Sequence, residues 1–232
     1  MFRVDKSLNY GRSIISKYSK EGFYGSVLDL GAGQGIDLDI FKKQNSSIKS
    51  FAVENWTSNI KILEKNGHIV CGTDIEKEQL PFEDDSMDVV IINQLLEHTK
   101  DIFWIMHEST RILKISGSLI IGIPNLAALH NRVLLLFGNQ PSCIQTKSAH
   151  VRGYTKDGLV DFINIFDGYK LEDCSGSNFY PFSPFFARPL SQLLPTLSVS
   201  LFFKFSKVIE YRDEYIVFPT ENKLATNYFT GK

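Results

Sequence analysis

Residues 27–35 read VLDLGAGQG, an apolar run ending in Asp29 and Leu30, followed by glycines at alternate positions 31, 33 and 35. The apolar run has the composition of a buried strand, and the glycines form a turn that opens a helix at about Ile36. Amides at such a strand-to-helix turn point at a ligand. A dinucleotide, a phosphate and a sulfonium cofactor would each want a turn of this kind. The dinucleotide fingerprint GxGxxG requires a third glycine where Ile36 stands, and a P-loop requires a following Gly-Lys-Ser/Thr that is missing. No lysine or arginine falls within residues 27–41, which disfavours a pyrophosphate.

Working outward, further short apolar or β-branched runs occur at 49–53 (KSFAV), 68–72 (HIVCG), 87–92 (MDVVII) and 117–123 (GSLIIGI). They lack strict alternation, as strands covered on both faces do. Helix-length segments separate them. The segment 101–114 starts at a capping Asp101 and ends in basic residues, and 155–166 starts at Thr155. This alternation predicts a doubly wound, mostly parallel α/β sheet with its ligand at the carboxyl ends of the strands. A sixth strand is expected at 169–174 and a seventh at 214–218 (EYIVF). Four polar sites each stand just past a successive strand: Asp29 with the glycines, Glu54, Asp74, and the pair Asn93 and Gln94. Glu54 is placed to accept ribose hydroxyls, and Asp74 beside Ile75 to bond an adenine amino group.

The 232 residues suit one domain, and the formal charge of −1 gives no field for nucleic acid. Three cysteines without a CxxC pair support neither a zinc site nor a disulfide framework. The charged start, MFRVDKSLNYGR, does not resemble a signal peptide, and no run approaches the ~18 apolar residues of a membrane span. The expectation is a soluble, cytoplasmic protein without a membrane span. Its expected parts are an N-terminal helix or lid (1–25), a core (26–124), cap insertions (125–152 and 178–206) and a polar tail (219–232). Residues 178–206 are rich in Phe and Pro. They are read first as cap packed on the sheet, with a homodimer face or a shallow membrane contact as alternatives.

Together, VLDLGAGQG, AVEN, GTDIEKEQLPFEDDSMDVVIINQLLEH and RILKISGSLIIGIPN resemble the class I S-adenosylmethionine (SAM)-dependent methyltransferases, over residues 27–125. The resemblance implies a Rossmann-like seven-stranded sheet whose last strand is antiparallel. It further implies that Gly31, Ala32, Gly33 and Gly35 line the methionine portion of SAM. Glu54 would hold the ribose, Asn55 and Trp56 would border the adenosine, and Asp74 with Ile75 would hold the adenine. Asn93 and Gln94 would lie beneath the sulfonium. The product would be S-adenosylhomocysteine (SAH).

Methyl transfer from a sulfonium needs alignment above all, and a base only where the acceptor must lose a proton. His98, just past the fourth strand, is one candidate base. In AHVRGYT (149–155), His150, Arg152 and Tyr154 fall at alternate positions and would share a side if extended. A base, an anion clamp and a phenol there would suit a polar or phosphorylated acceptor. Tyr10 and Arg12 would close over the cofactor. Glu97 and His98 resemble the acidic EH segment that holds a metal in ubiquinone-pathway O-methyltransferases. Gln94 replaces its first carboxylate, so no metal is expected.

The segment before the helix at 155 resembles bacterial methyltransferases of surface-polysaccharide clusters. The implied acceptor is an oxygen of a small polar molecule: a sugar hydroxyl, or a phosphoryl or phosphoramidate oxygen, in capsule or lipopolysaccharide synthesis. N-methylation of an amino sugar or small amine, and a non-catalytic SAM-binding regulator, are the alternatives.

Overall fold

The computed structural model describes residues 6–224. The first five residues of the expected N-terminal lid, and residues 225–232 of the expected tail, lie outside the described residues. The strands are β1 (Ser26–Leu30), β2 (Lys49–Val53), β3 (Ile69–Cys71), β4 (Met87–Asn93), β5 (Leu113–Pro124), β6 (Tyr169–Ser177) and β7 (Ser200–Lys207). They form one seven-stranded sheet in the order β3-β2-β1-β4-β5-β7-β6. All pairs from β3 to β5 are parallel, and β7 runs antiparallel to both β5 and β6.

The helices are α1 (Arg12–Tyr18), α2 (Ile36–Gln44), α3 (Thr57–Lys65), α4 (Ile102–Ile112), α5 (Leu129–Leu136), α6 (Lys156–Ile163), α7 (Pro184–Leu193) and α8 (Glu214–Glu221). No helix among the described residues is long and apolar enough to cross a membrane. The expected caps are present. The Asp101 side chain accepts from the Trp104 amide at the start of α4, and Thr155 accepts from the Gly158 amide at the start of α6. Each satisfies an amide that the first helical turn would leave without a partner.

The apolar runs did not alternate because both faces of the sheet are covered. Leu28, Leu30, Val90, Ile92, Leu119 and Ile121 pack into one buried cluster. Their neighbours Val27, Val89, Ile91 and Ile120 pack into the other.

The C-terminal part corrects the sequence reading. The seventh strand is not 214–218, which is helical, but residues 200–207, all but the last of which lie in the stretch expected to be cap. In SLFFKFSK, Phe202 enters one core cluster and Phe203 and Phe205 enter the other, so the strand reads as an aromatic run without a period. Its lysines hid it further. Lys204 is buried against Glu21 at 2.8 Å, and Lys207 against Asp85 at 2.9 Å and the carbonyls of Thr110 and Leu113. In EYIVF, by contrast, Tyr215 and Phe218 face the core at helical spacing, next to α4. The expected polar tail therefore begins inside α8. Of the aromatic segment, Phe185, Phe186 and Leu193 remain exposed on α7.

The topology sets the ligand position. From β1 the chain moves outward to β2 and β3, then crosses back to β4 on the other side of β1. The connections leaving β1 and β4 run to opposite sides there, which is where ligands bind in such sheets.

Candidate functional site

The turn after β1 has Gly31, Gly33 and Gly35 at φ of 70°, 55° and 80°. Gly35 admits nothing larger, because an added Cβ would stand 2.7 Å from Leu63 and 3.1 Å from His68. The amides of Gly31 and Ala32 bond the Val53 carbonyl at 2.9 and 3.1 Å, and that of Gly35 bonds Ala32 at 2.9 Å. The Gly33 amide donates to Glu54 Oε2 at 2.8 Å. Glu54, buried at the end of β2, also accepts from the amides of Asn55 and Trp56, both at 2.9 Å, and from Asn59 Nδ2 at 3.3 Å. Four donors fill the acceptor capacity of a carboxylate.

Asp29 is buried beneath the turn, where desolvation and then the charge of Asp37 raise its pKa well above the usual range, against the pull of Arg12. Asp37, in the first turn of α2, pairs with Arg12 and accepts from Asn93 Nδ2 at 2.8 Å. Arg12 in turn lies 5.1 Å from the centre of the Tyr10 ring.

The end of β4 is finished differently. Gln94 adopts φ of 56° without being glycine, and its amide bonds the Gly122 carbonyl at 2.8 Å. Asn93 Oδ1, Gln94 Nε2 and Glu97 Oε2 are buried without a hydrogen-bond partner among the described residues. Such atoms are rare in folded proteins and call for an explanation. Burial pushes the Glu97 carboxyl up to about 7. His98 lies next to it, its pKa lowered first by burial and then by His150. His150 reaches this edge because Val151 and Arg152 both donate their amides to the Glu97 carbonyl, at 2.7 and 3.3 Å.

A cleft of about 610 Å³ lies between the two strand ends. It brings together Asp29, Gly31, Ala32, Gly33, Asn93, Gln94, His98 and His150 from the expected set, with Tyr10 and Arg12 at its mouth. Gly35 and Glu54 stand behind the turn rather than on the cleft wall. Asn55 and Trp56 are exposed at the start of α3. Asp74 and Ile75 lie outside the lining. Asp74 bonds the Glu76 amide at 3.1 Å and Lys77 at 2.9 Å, and Ile75 packs on the core.

Two expected acceptor-side residues do not face the cleft. Tyr154 is a core residue whose hydroxyl donates to the Leu96 carbonyl at 3.2 Å, and burial raises its pKa. Arg152 turns its guanidinium to the Lys100 carbonyl at 2.8 Å. The segment does not run as one extended strand, so alternate residues do not share a side. Sequence reasoning missed Asp37. Its signal was an acid two residues past the last glycine, at a position that a helix start favours for negative charge.

A larger depression, about 820 Å³, lies at the opposite ends of the strands around Asp88, Lys114 and Lys204. Its charges are paired, Lys114 with Asp88 at 2.6 Å and Lys204 with Glu21 at 2.8 Å.

A Rossmann-like sheet of this order, antiparallel only at β7, is the fold of the SAM-dependent methyltransferases. The crystal structure of a SAM-dependent methyltransferase from Archaeoglobus fulgidus aligns with a TM-score of 0.59 at 17% identity, covering 86% of this chain and 94% of that one. The plantazolicin methyltransferase BpumL, in complex with a triazolic desmethylPZN analog and SAH, aligns with a TM-score of 0.60 at 18% identity, covering 88% and 87%. In sequence, the chain is 30% identical over 108 residues to a Bacillus subtilis protein described as the uncharacterized methyltransferase YcgJ, over 41% of this chain. The chain spans 39% and 31% of the lengths of the two curated relatives it matches. The chain belongs to the family described as methionine biosynthesis protein MetW, whose model matches residues 12–173.

Proposed function

We propose that the chain is a SAM-dependent methyltransferase acting on a hydroxyl oxygen of a small polar acceptor. The observation that carries this is the cleft itself: a glycine turn at the switch point faces buried, unpartnered polar atoms at the end of β4. SAM fits the residues present. Among the described residues, the one basic side chain at the cleft besides the histidines is Arg12, and Asp37 neutralises it, so the lining favours a sulfonium over a phosphate group. Bound SAM supplies a methyl group already activated on sulfur.

The chain's own residues then have distinct tasks. Gly31, Ala32 and Gly33 let the backbone approach a slim ligand closely. Ribose hydroxyls would take over positions at Glu54 now held by the Gly33 amide and Asn59. The orphaned Asn93 Oδ1 and Gln94 offer polar contact at the reacting end. Asn55, Trp56, Asp74 and Ile75 are the proposed adenosine border, reached beyond the described lining. His98 and His150 form the edge from which the acceptor approaches, and alignment along that line is the main catalytic effect.

A hydroxyl fits this edge better than an anionic acceptor does, because Arg152 is engaged with Lys100 and Arg12 with Asp37. A sugar hydroxyl of a capsule or lipopolysaccharide precursor is the proposed case. Incubation with labelled SAM and a panel of nucleotide sugars, phosphorylated sugars and amines tests this. Release of SAH with sugar hydroxyls is expected. Turnover confined to amines or phosphoryl oxygens would refute the acceptor class.

A further inference from the structure

The acceptor edge carries a donor set that alignment of a methyl group does not require. His98 and His150 stand ring against ring, with centroids 4.5 Å apart at 85°. Each is held at Nδ1 by a backbone carbonyl, His98 by Ala149 at 3.3 Å and His150 by Cys143 at 2.6 Å. A carbonyl only accepts, so each Nδ1 is the donor and Nε2 is the ring atom left for another partner. Glu97 is 1% exposed, its Oε2 has no hydrogen-bond partner among the described residues, and its Oε1 reaches within 4.0 Å of His98 Nε2. One ligand atom of each residue lies within 4.8 Å of those of the other two. Two imidazoles and a buried carboxyl converging in this way form a donor set suited to a cation.

We propose that Glu97, His98 and His150 bind one divalent transition-metal ion at the acceptor edge of the cleft. This departs from the expectation of no metal, which considered Gln94, Glu97 and His98 along the chain. His150 arrives from a different loop and supplies the third ligand. Two imidazoles and one carboxylate select zinc, cobalt or iron over magnesium and calcium, which prefer oxygen ligands throughout. The Ala149 and Cys143 carbonyls are the outer partners that fix ring orientation in such sites. Metal–ligand distances of about 2.0–2.2 Å require the donors to close in by about 1 Å. The 41% exposure of the His98 side chain leaves room for that. Three protein ligands leave coordination positions open to the cleft, as in sites that hold substrate.

The role of the ion rests on the methyltransferase reading. An acceptor hydroxyl bound to it loses its proton to solvent more readily. The acceptor oxygen then forms a bond to the methyl carbon, the carbon–sulfur bond breaks, and sulfur keeps the electron pair as a neutral thioether. The histidines act here as ligands, not as proton acceptors.

The test is titration of the full chain, stripped with a chelator, with Co²⁺ alone. One equivalent is expected to bind with the absorption bands of a nitrogen–oxygen site, and Zn²⁺ should displace it. His98→Ala and His150→Ala should each weaken binding by at least about tenfold. His130→Ala should not, since that ring bonds Ser142 at 2.7 Å. If the variants misfold, proton resonances of the wild-type imidazoles decide: Co²⁺ should broaden His98 and His150 first. Absence of saturable binding, or broadening centred on other histidines, overturns the proposal. Binding of SAM is measured separately. A chain that takes cobalt but not SAM would refute the methyltransferase reading and leave the metal site standing, and the converse result would do the opposite.

Discussion

The two strand ends that face each other across the cleft are completed in opposite ways. At the end of β1, the amides of Gly31, Ala32, Gly33 and Gly35 all have partners within the chain, supplied by Val53, Glu54 and Ala32. At the end of β4, Asn93, Gln94 and Glu97 each keep a buried polar atom without one among the described residues. The first wall is a finished backbone surface. The second is held in place at the cost of unsatisfied groups, about 1–3 kcal/mol for each. A fold keeps such groups where function uses them. The first wall accordingly suits a ligand recognised by shape, and the second a ligand recognised by polar chemistry.

The strongest way to break this comparison is Gly35→Val. Its positive φ and the nearness of Leu63 should cost about 2–4 kcal/mol of stability, read as a shift in the urea midpoint. Gly33→Ala sharpens it, since an added Cβ there meets nothing within 4 Å. The backbone penalty should be only about 1–2 kcal/mol. SAM affinity should fall by more than stability does if this wall contacts the cofactor.

On the second wall, His98→Ala and His150→Ala each remove a ligand of the proposed ion and should lower the methyl-transfer rate by about 10²-fold or more. Their SAM dissociation constants, read by calorimetry, should change far less than the rate. Equal losses in both would erase the distinction between the walls. Tyr154→Phe removes one buried hydrogen bond to Leu96, and should cost about 0.5–1.5 kcal/mol of stability with turnover unchanged.

The smallest effect concerns the support behind the glycine turn. His68 is buried beside Gly35, with Nδ1 2.8 Å from Ser50 Oγ and Nε2 3.2 Å from Asp39. Burial lowers its pKa below the ordinary 6.5, against the opposing pull of Asp39. The folded state thus takes up the proton less readily than the unfolded chain. Its contribution is fully present above the unfolded value and lost as pH falls through the folded one. Urea midpoints should drop as pH falls below about 6.5, and His68→Gln should flatten that slope.

The same division explains what could be read from the sequence. The first wall is local: strand, glycines and helix start are contiguous, so VLDLGAGQG announces them and the parallel strands follow from their apolar runs. The second wall joins residues far apart in the chain. Nothing in the spacing of AHVRGYT says that His150 turns toward Glu97 while Tyr154 enters the core. That outcome depends on the Val151 and Arg152 amides bonding the Glu97 carbonyl. The seventh strand was misplaced for a related reason. Periodicity reports burial on one face, and SLFFKFSK is buried on both with its lysines paired internally.

Calorimetric titration of the full chain with SAM decides whether the cleft is a SAM site. Saturable binding at one site is expected, accompanied by stabilisation of about 2.7 kcal/mol at a hundredfold excess over the dissociation constant. No heat of binding and no rise in melting temperature would contradict it.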